Sequence, residues 1–146
     1  MYPDGLVVST KASTDLLDAF LDDLLQWAKT ELGLVEMGVG PRERHYESAL
    51  IVMLRIETSR AFPWIGKLTT KLKELQAGYG LHPFEFSFNG ISVAIDPLTH
   101  VGRQPAPFTI ARRVNVPFEA DTYYTTAPLK TADHLALLEA LEAALR

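Results

Sequence analysis

The stretch "HYESALIVMLRIE", residues 45–57, constrains the fold of this chain more than any other segment. Along an extended strand, successive side chains point to opposite faces. Tyr46, Ser48, Leu50, Val52, Leu54 and Ile56 therefore share one side, and Glu47, Ala49, Ile51, Met53, Arg55 and Glu57 share the other. The middle of the strand is apolar on both sides, which predicts a central strand in a sheet covered on both faces. Two layers of cover must come from the chain itself or from a partner.

Three segments have the helical period needed to supply one layer. In "TDLLDAFLDDLLQWAKTELG" an apolar stripe runs through Leu17, Phe20, Leu21, Leu24, Ala28 and Leu32. Ser13 or Thr14 can cap it, Asp15 and Asp18 suit the positive end of the helix dipole, and Gly33 is placed to end it. Asp15, Asp18 and Asp22 form an acidic line, expected to be a solvated face. "FPWIGKLTTKLKELQAGYG" places Pro63 in a first helical turn and Trp64, Leu68, Leu72, Leu75 and Tyr79 along a stripe. "TADHLALLEALEAALR" has Thr131 as cap and a stripe of Leu135, Leu138, Leu141 and Leu145.

The remaining segments read as strands and turns. "GLVVST" (5–10) and "LVEM" (34–37) are short and β-prone, and "GVGPRER" (38–44) is an exposed loop. In "PFEFSFNGISVAID" the pair Asn89-Gly90 suits a two-residue type I′ turn, setting Phe88 opposite Ile91, Phe86 opposite Val93 and Phe84 opposite Ile95. A proline-rich connection spans 96–107, "FTIARRVNVPF" (108–118) follows as a strand, and "TYYTT" is short, ends at Pro128 and suits an edge. Consecutive strands without intervening helices predict an α+β fold. The expectation is a single domain over 1–146: a mostly antiparallel sheet of about five or six strands, with three amphipathic helices packed mainly on one face. Ala49, Ile51 and Met53 then lack internal cover, and a partner subunit is the expected source.

Net charge is −4, which argues against nucleic acid as a main partner. With no cysteine there is no disulfide scaffold, thiolate nucleophile or Cys-ligated zinc. The first residues lack a basic region and a long apolar core, and no apolar run approaches the ~20 residues of a membrane span. The expected setting is cytoplasmic or virion-associated, with no membrane partner. No H-E-x-x-H, phosphate-binding glycine loop or G-x-S-x-G is present, so no cofactor and no metal are expected. The nearest approach to a metal site is His45-x-Glu47, two ligand types on one strand face.

Arg112 is the sharpest single candidate. It alternates with Phe108, Ile110, Val114 and Val116 on an apolar face, where an unpaired guanidinium is prohibitively costly. It must snorkel at the sheet margin or meet a carboxylate, with Glu47, Glu57, Glu85 and Asp96 in view, or else bind an anion. Three functional readings follow. The leading one is a non-enzymatic, self-associating assembly subunit acting through protein contacts, with Ile51, Met53, Arg113, Tyr123 and Tyr124 at the interface. The second is a small enzyme or anion-binding domain centred on Arg112 with Glu47, His45 and Tyr123. The third is a weak nucleic-acid binder using Arg42/Arg44, Arg112/Arg113 and Lys67/Lys71/Lys73.

Overall fold

Helix α1 spans Thr14–Leu32, and both of its ends are chemically defined. The Ser13 hydroxyl accepts from the Leu16 amide, and Gly33 closes the helix in the left-handed conformation (φ 61°), where a side chain would be strained. Strand β1 (Ser48–Met53) follows, then α2 (Pro63–Gly78), which starts on proline as the pattern requires. Strands β2 (Gly90–Val93), β3 (Phe108–Arg112) and β4 (Thr122–Ala127) precede helix α3 (Thr131–Leu145). This computed structural model describes residues 6–33, 43–56, 61–80, 82, 84–99 and 104–145.

The fold is α+β: the described residues form three helices and one antiparallel sheet of four strands in the order β1-β4-β3-β2. The count falls short of the expected five or six. Residues 6–10 are not a strand, and the segment 34–37 lies outside the described residues. The Asn89-Gly90 hairpin does not form. Residues 84–89 are not a strand, and Gly90 instead pairs with Ala111 while the Arg112 amide donates to the Asn89 carbonyl at 2.7 Å. A Cβ on Gly90 would lie 2.1 Å from the Ile110 carbonyl oxygen. The glycine thus serves close approach of two strands, not a tight turn.

The order of strands reverses another expectation. β4, built from "TYYTTA", lies between β1 and β3, and Tyr123, Thr125 and Ala127 are fully buried. β1 is an edge strand. β3 ends at Arg112, not at residue 118. Beyond it Asn115 and Asp121 adopt positive φ, and a short 3-10 turn over Phe118–Ala120 leads into β4.

The core lies on one face of the sheet. Leu54, Ile110, Tyr123 and Leu138 form its centre, flanked by Leu50, Val52, Ile56, Ile91, Phe108 and Leu141. Helix α3 presents His134, Leu138 and Leu141, at spacings of four and three, to this core. His134 occupies the position expected of Leu135, which is exposed instead. The other two helices are less buried than their stripes predict. In α1 only Thr14 and Ala28 are buried, and in α2 no described residue is.

Candidate functional site

Arg112 sits at the end of β3, on the core face beside Tyr123, its register partner on β4. Its guanidinium lies 4.5 Å from the Tyr123 ring centre and 5.1 Å from that of Phe118, within cation–π range of both. One terminal nitrogen donates to the Phe118 carbonyl at 2.6 Å and to an Asp121 carboxylate oxygen at 3.0 Å. The partner is none of the four acids expected. It is Asp121, whose left-handed conformation brings its carboxylate back over the β3–β4 turn. The arginine therefore ties the 3-10 turn to the sheet, and its own charge is matched. Its Nε is buried and makes no hydrogen bond among the described residues, and neither does the Tyr123 hydroxyl. Burial pushes the Tyr123 pKa up, so the phenol stays protonated.

The proposed companions of Arg112 lie elsewhere. His45 and Glu47 precede the opposite end of β1, where Ser48 pairs with Ala127, roughly 15 Å or more along the strand. Both are exposed, and the His45 Nε2 lies 3.5 Å from Glu43. The structure thus joins Arg112 to Tyr123 and separates both from His45 and Glu47. Among the described residues no group of three or more His, Asp or Glu is arranged to hold a metal ion.

Two polar clusters went unmarked in the sequence. Asp18 receives the Lys130 ammonium at 2.7 Å, an Arg44 nitrogen at 3.0 Å and the Tyr46 hydroxyl at 3.0 Å, while Arg44 also pairs with Asp22. Asp15–Asp18–Asp22 is therefore not simply a solvated acidic line. The Lys130 hydrogen bond holds the Asp18 carboxyl below the usual carboxylate range, and Asp18 in turn raises Lys130. Nearby, Thr14 and Thr131 exchange hydrogen bonds, each hydroxyl accepting from the other residue's amide at 3.1 and 2.8 Å. These contacts join the start of α1 to the start of α3. No spacing rule links residues so far apart in sequence.

The second cluster is Ser48 and His134, whose Oγ and Nδ1 lie 2.9 Å apart. The pair has the residue types of a nucleophile and its base, and both residues are buried. The edge of the Phe108 ring packs against the imidazole, and its Nε2 has no hydrogen-bond partner among the described residues. Burial lowers the His134 pKa and keeps the ring neutral. Its role is to pin α3 onto β1. The signal for it was available: His134 stands four residues before Leu138 on the apolar side of the last helix.

The expected contact residues divide. Ile51, Met53 and Tyr124 lie on the sheet face away from the core and are exposed by 54%, 78% and 45%. Arg113 is exposed as well. Tyr123 is wholly buried, which corrects its assignment to an interface and to an open ligand site. Thr109 and Thr126 share a 2.7 Å hydrogen bond on the same outer face. Several basic residues considered for phosphate contacts are paired with acids: Arg44 as above, Lys71 with Glu74, and Lys73 with Glu85. Arg42 lies outside the described residues. Among those residues no helix is long and apolar enough to cross a membrane. Compared with protein-family models, with curated proteins and with solved structures, the chain has no match.

Proposed function

We propose that this chain is a non-enzymatic assembly subunit that associates with copies of itself. One observation carries the reading: the amount of apolar surface the single chain leaves open. Leu16, Phe20 and Trp27 on α1, Trp64, Leu68 and Leu75 on α2, Tyr79 just past its end, and Ile51, Met53 and Tyr124 on the sheet are all more than 40% exposed. Scattered apolar residues are ordinary on a surface, but stripes on two helices and a sheet face call for cover. The polar clusters support the same reading, because their charges are matched internally or enclosed.

Light scattering after size exclusion, across a range of concentrations, tests this directly. A mass above one chain that grows with concentration is the expected result. A single-chain mass throughout the range refutes it. The anion-binding reading keeps one observation in its favour, the buried Arg112 Nε, which has no partner among the described residues. For that reading, inorganic phosphate should raise Tm in the wild type and not in Arg112→Met.

A further inference from the structure

Among the described residues β1 is an edge strand, and the edge it leaves open has a definite chemistry. The Leu54 amide donates to the Asp121 carbonyl at 3.0 Å, so residues 54 and 121 form a hydrogen-bonded pair. Antiparallel ladders alternate. Val52 with Tyr123, Leu50 with Thr125 and Ser48 with Ala127 are therefore the hydrogen-bonded pairs that follow along the register. The amides and carbonyls of Ala49, Ile51 and Met53 consequently point away from β4, toward the open edge. The same three residues carry their side chains on the outer face of the sheet, where all three are exposed. Past the strand, the Arg55 amide donates to the Glu142 carboxylate at 3.2 Å, so the outward backbone ladder is confined to residues 49–53 and Arg55 meets a copy through its side chain alone.

The sequence around Ile51 complements itself. If the strand meets an antiparallel copy with Ile51 opposite Ile51, Ala49 faces Met53 and Glu47 faces Arg55 at both ends. A small side chain meets a long one, and an acid meets a base, twice by symmetry. Outward-facing backbone groups also pair only with their own kind, as this register demands. A shift by two residues places Glu47 opposite Met53 or opposite Glu57 and loses the charge match.

We propose that β1 is a symmetric docking strand through which two copies of this chain join edge to edge, antiparallel about Ile51. The union merges two sheets of four strands into one continuous sheet. It also extends the apolar band of Ile51, Met53 and Tyr124 across the two-fold axis, because their outer faces become neighbours. The contact is isologous and closes after two copies, leaving the helical stripes for any larger assembly. This deepens the self-association reading and rests on it.

Charge reversal tests the register. Glu47→Arg and Arg55→Glu, each alone, set like charges opposite one another twice per dimer. Each should weaken dimerisation about tenfold in analytical ultracentrifugation. The double variant restores the match and should return the dissociation constant to within about twofold of the wild type. The chain has no cysteine, so Ile51→Cys gives a single thiol. Its symmetry mate would lie about 5.5 Å away between Cα atoms, inside disulfide range. Mild oxidation should link Ile51→Cys into a dimer and leave Ser92→Cys, on the opposite edge strand, unlinked. A wild type that self-associates while ignoring both single reversals overturns the docking strand and leaves assembly by other surfaces standing. Failure of the double variant to recover overturns the register in the same way. A wild type of single-chain mass overturns docking and self-association together.

Discussion

Gly90 illustrates how one residue type can be placed for a reason other than its commonest one. Next to Asn89 it suggests a hairpin, yet the backbone of β3 passes so close that a Cβ would meet the Ile110 carbonyl at 2.1 Å and the Ala111 Cα at 2.8 Å. Both obstacles are backbone and cannot rotate aside. Gly90→Ala must push β2 off the sheet edge or distort β3, and overpacking of this kind costs about 1–3 kcal/mol. Gly66, inside α2, has nothing within 4 Å of the same added atom. There alanine gains helix propensity, worth up to about 1 kcal/mol. Thermal unfolding of the two variants should move Tm in opposite directions. Equal shifts would mean that β2 does not pair with β3 as described.

At the scale of elements, the helices were legible and their partners were not. Ser13, Gly33 and Pro63 mark ends that the structure reproduces, because caps and stops act within a turn. Strand pairing depends on what else competes for each segment. Phe88 stacks on Phe62, with ring centres 5.1 Å apart, and Glu85 pairs with Lys73, so the stretch expected to form the first hairpin strand lies against α2 and its approach. "TYYTT" has the polarity of an edge, yet it lies inside the sheet, with Thr125 enclosed and its hydroxyl without a partner among the described residues. The two-sided apolar pattern of β1 predicts a central strand covered on both faces, whereas β1 lies at the sheet edge with Ile51 and Met53 exposed, because a period of two fixes which side chains share a face and not which segments pair beside them. Arg112 was legible as needing a carboxylate. Asp121 was hidden as its partner because the intervening turn uses two residues with positive φ. The pin between α3 and β1 makes its own prediction. His134 is neutral in the fold, its pKa lowered by burial, and an unfolded histidine titrates near ~6.5. Above that value the ring is neutral in both states. As pH falls below it, the unfolded chain takes up a proton that the fold refuses, and stability drops by at most about 1.4 kcal/mol per pH unit from this group. His134→Leu leaves the Ser48 hydroxyl unpartnered, so at pH 8 it should be the less stable protein, by about 1–2 kcal/mol. Toward pH 5.5 the difference should shrink. Urea midpoints for both proteins across that range measure it, and a gap independent of pH would show that His134 is not held neutral.

At the scale of the whole molecule, a small closed core stands beside wide apolar surfaces among the described residues. Among the described residues only α3 contributes a helical residue to the core centre, while α1 and α2 display Trp27 and Trp64, 54% and 60% exposed. These are the only two tryptophans, so indole fluorescence reports on the two helical stripes alone. If assembly covers those stripes, emission should move to shorter wavelength and become harder to quench with acrylamide as concentration rises through the association range. Tm should climb over the same range, because the assembled state is favoured by mass action and the unfolded chain is not. Trp27→Phe and Trp64→Phe separate the helices: the variant that retains the shift names the stripe that is covered. Edge-to-edge pairing through β1 alone produces a different signature. It doubles the mass and raises Tm with concentration, and because its register runs through Ala49, Ile51 and Met53 it requires neither helical stripe to be covered. A blue shift together with a mass beyond two chains therefore requires the helical stripes as a second contact surface, and a dimer with unchanged emission confines assembly to the sheet.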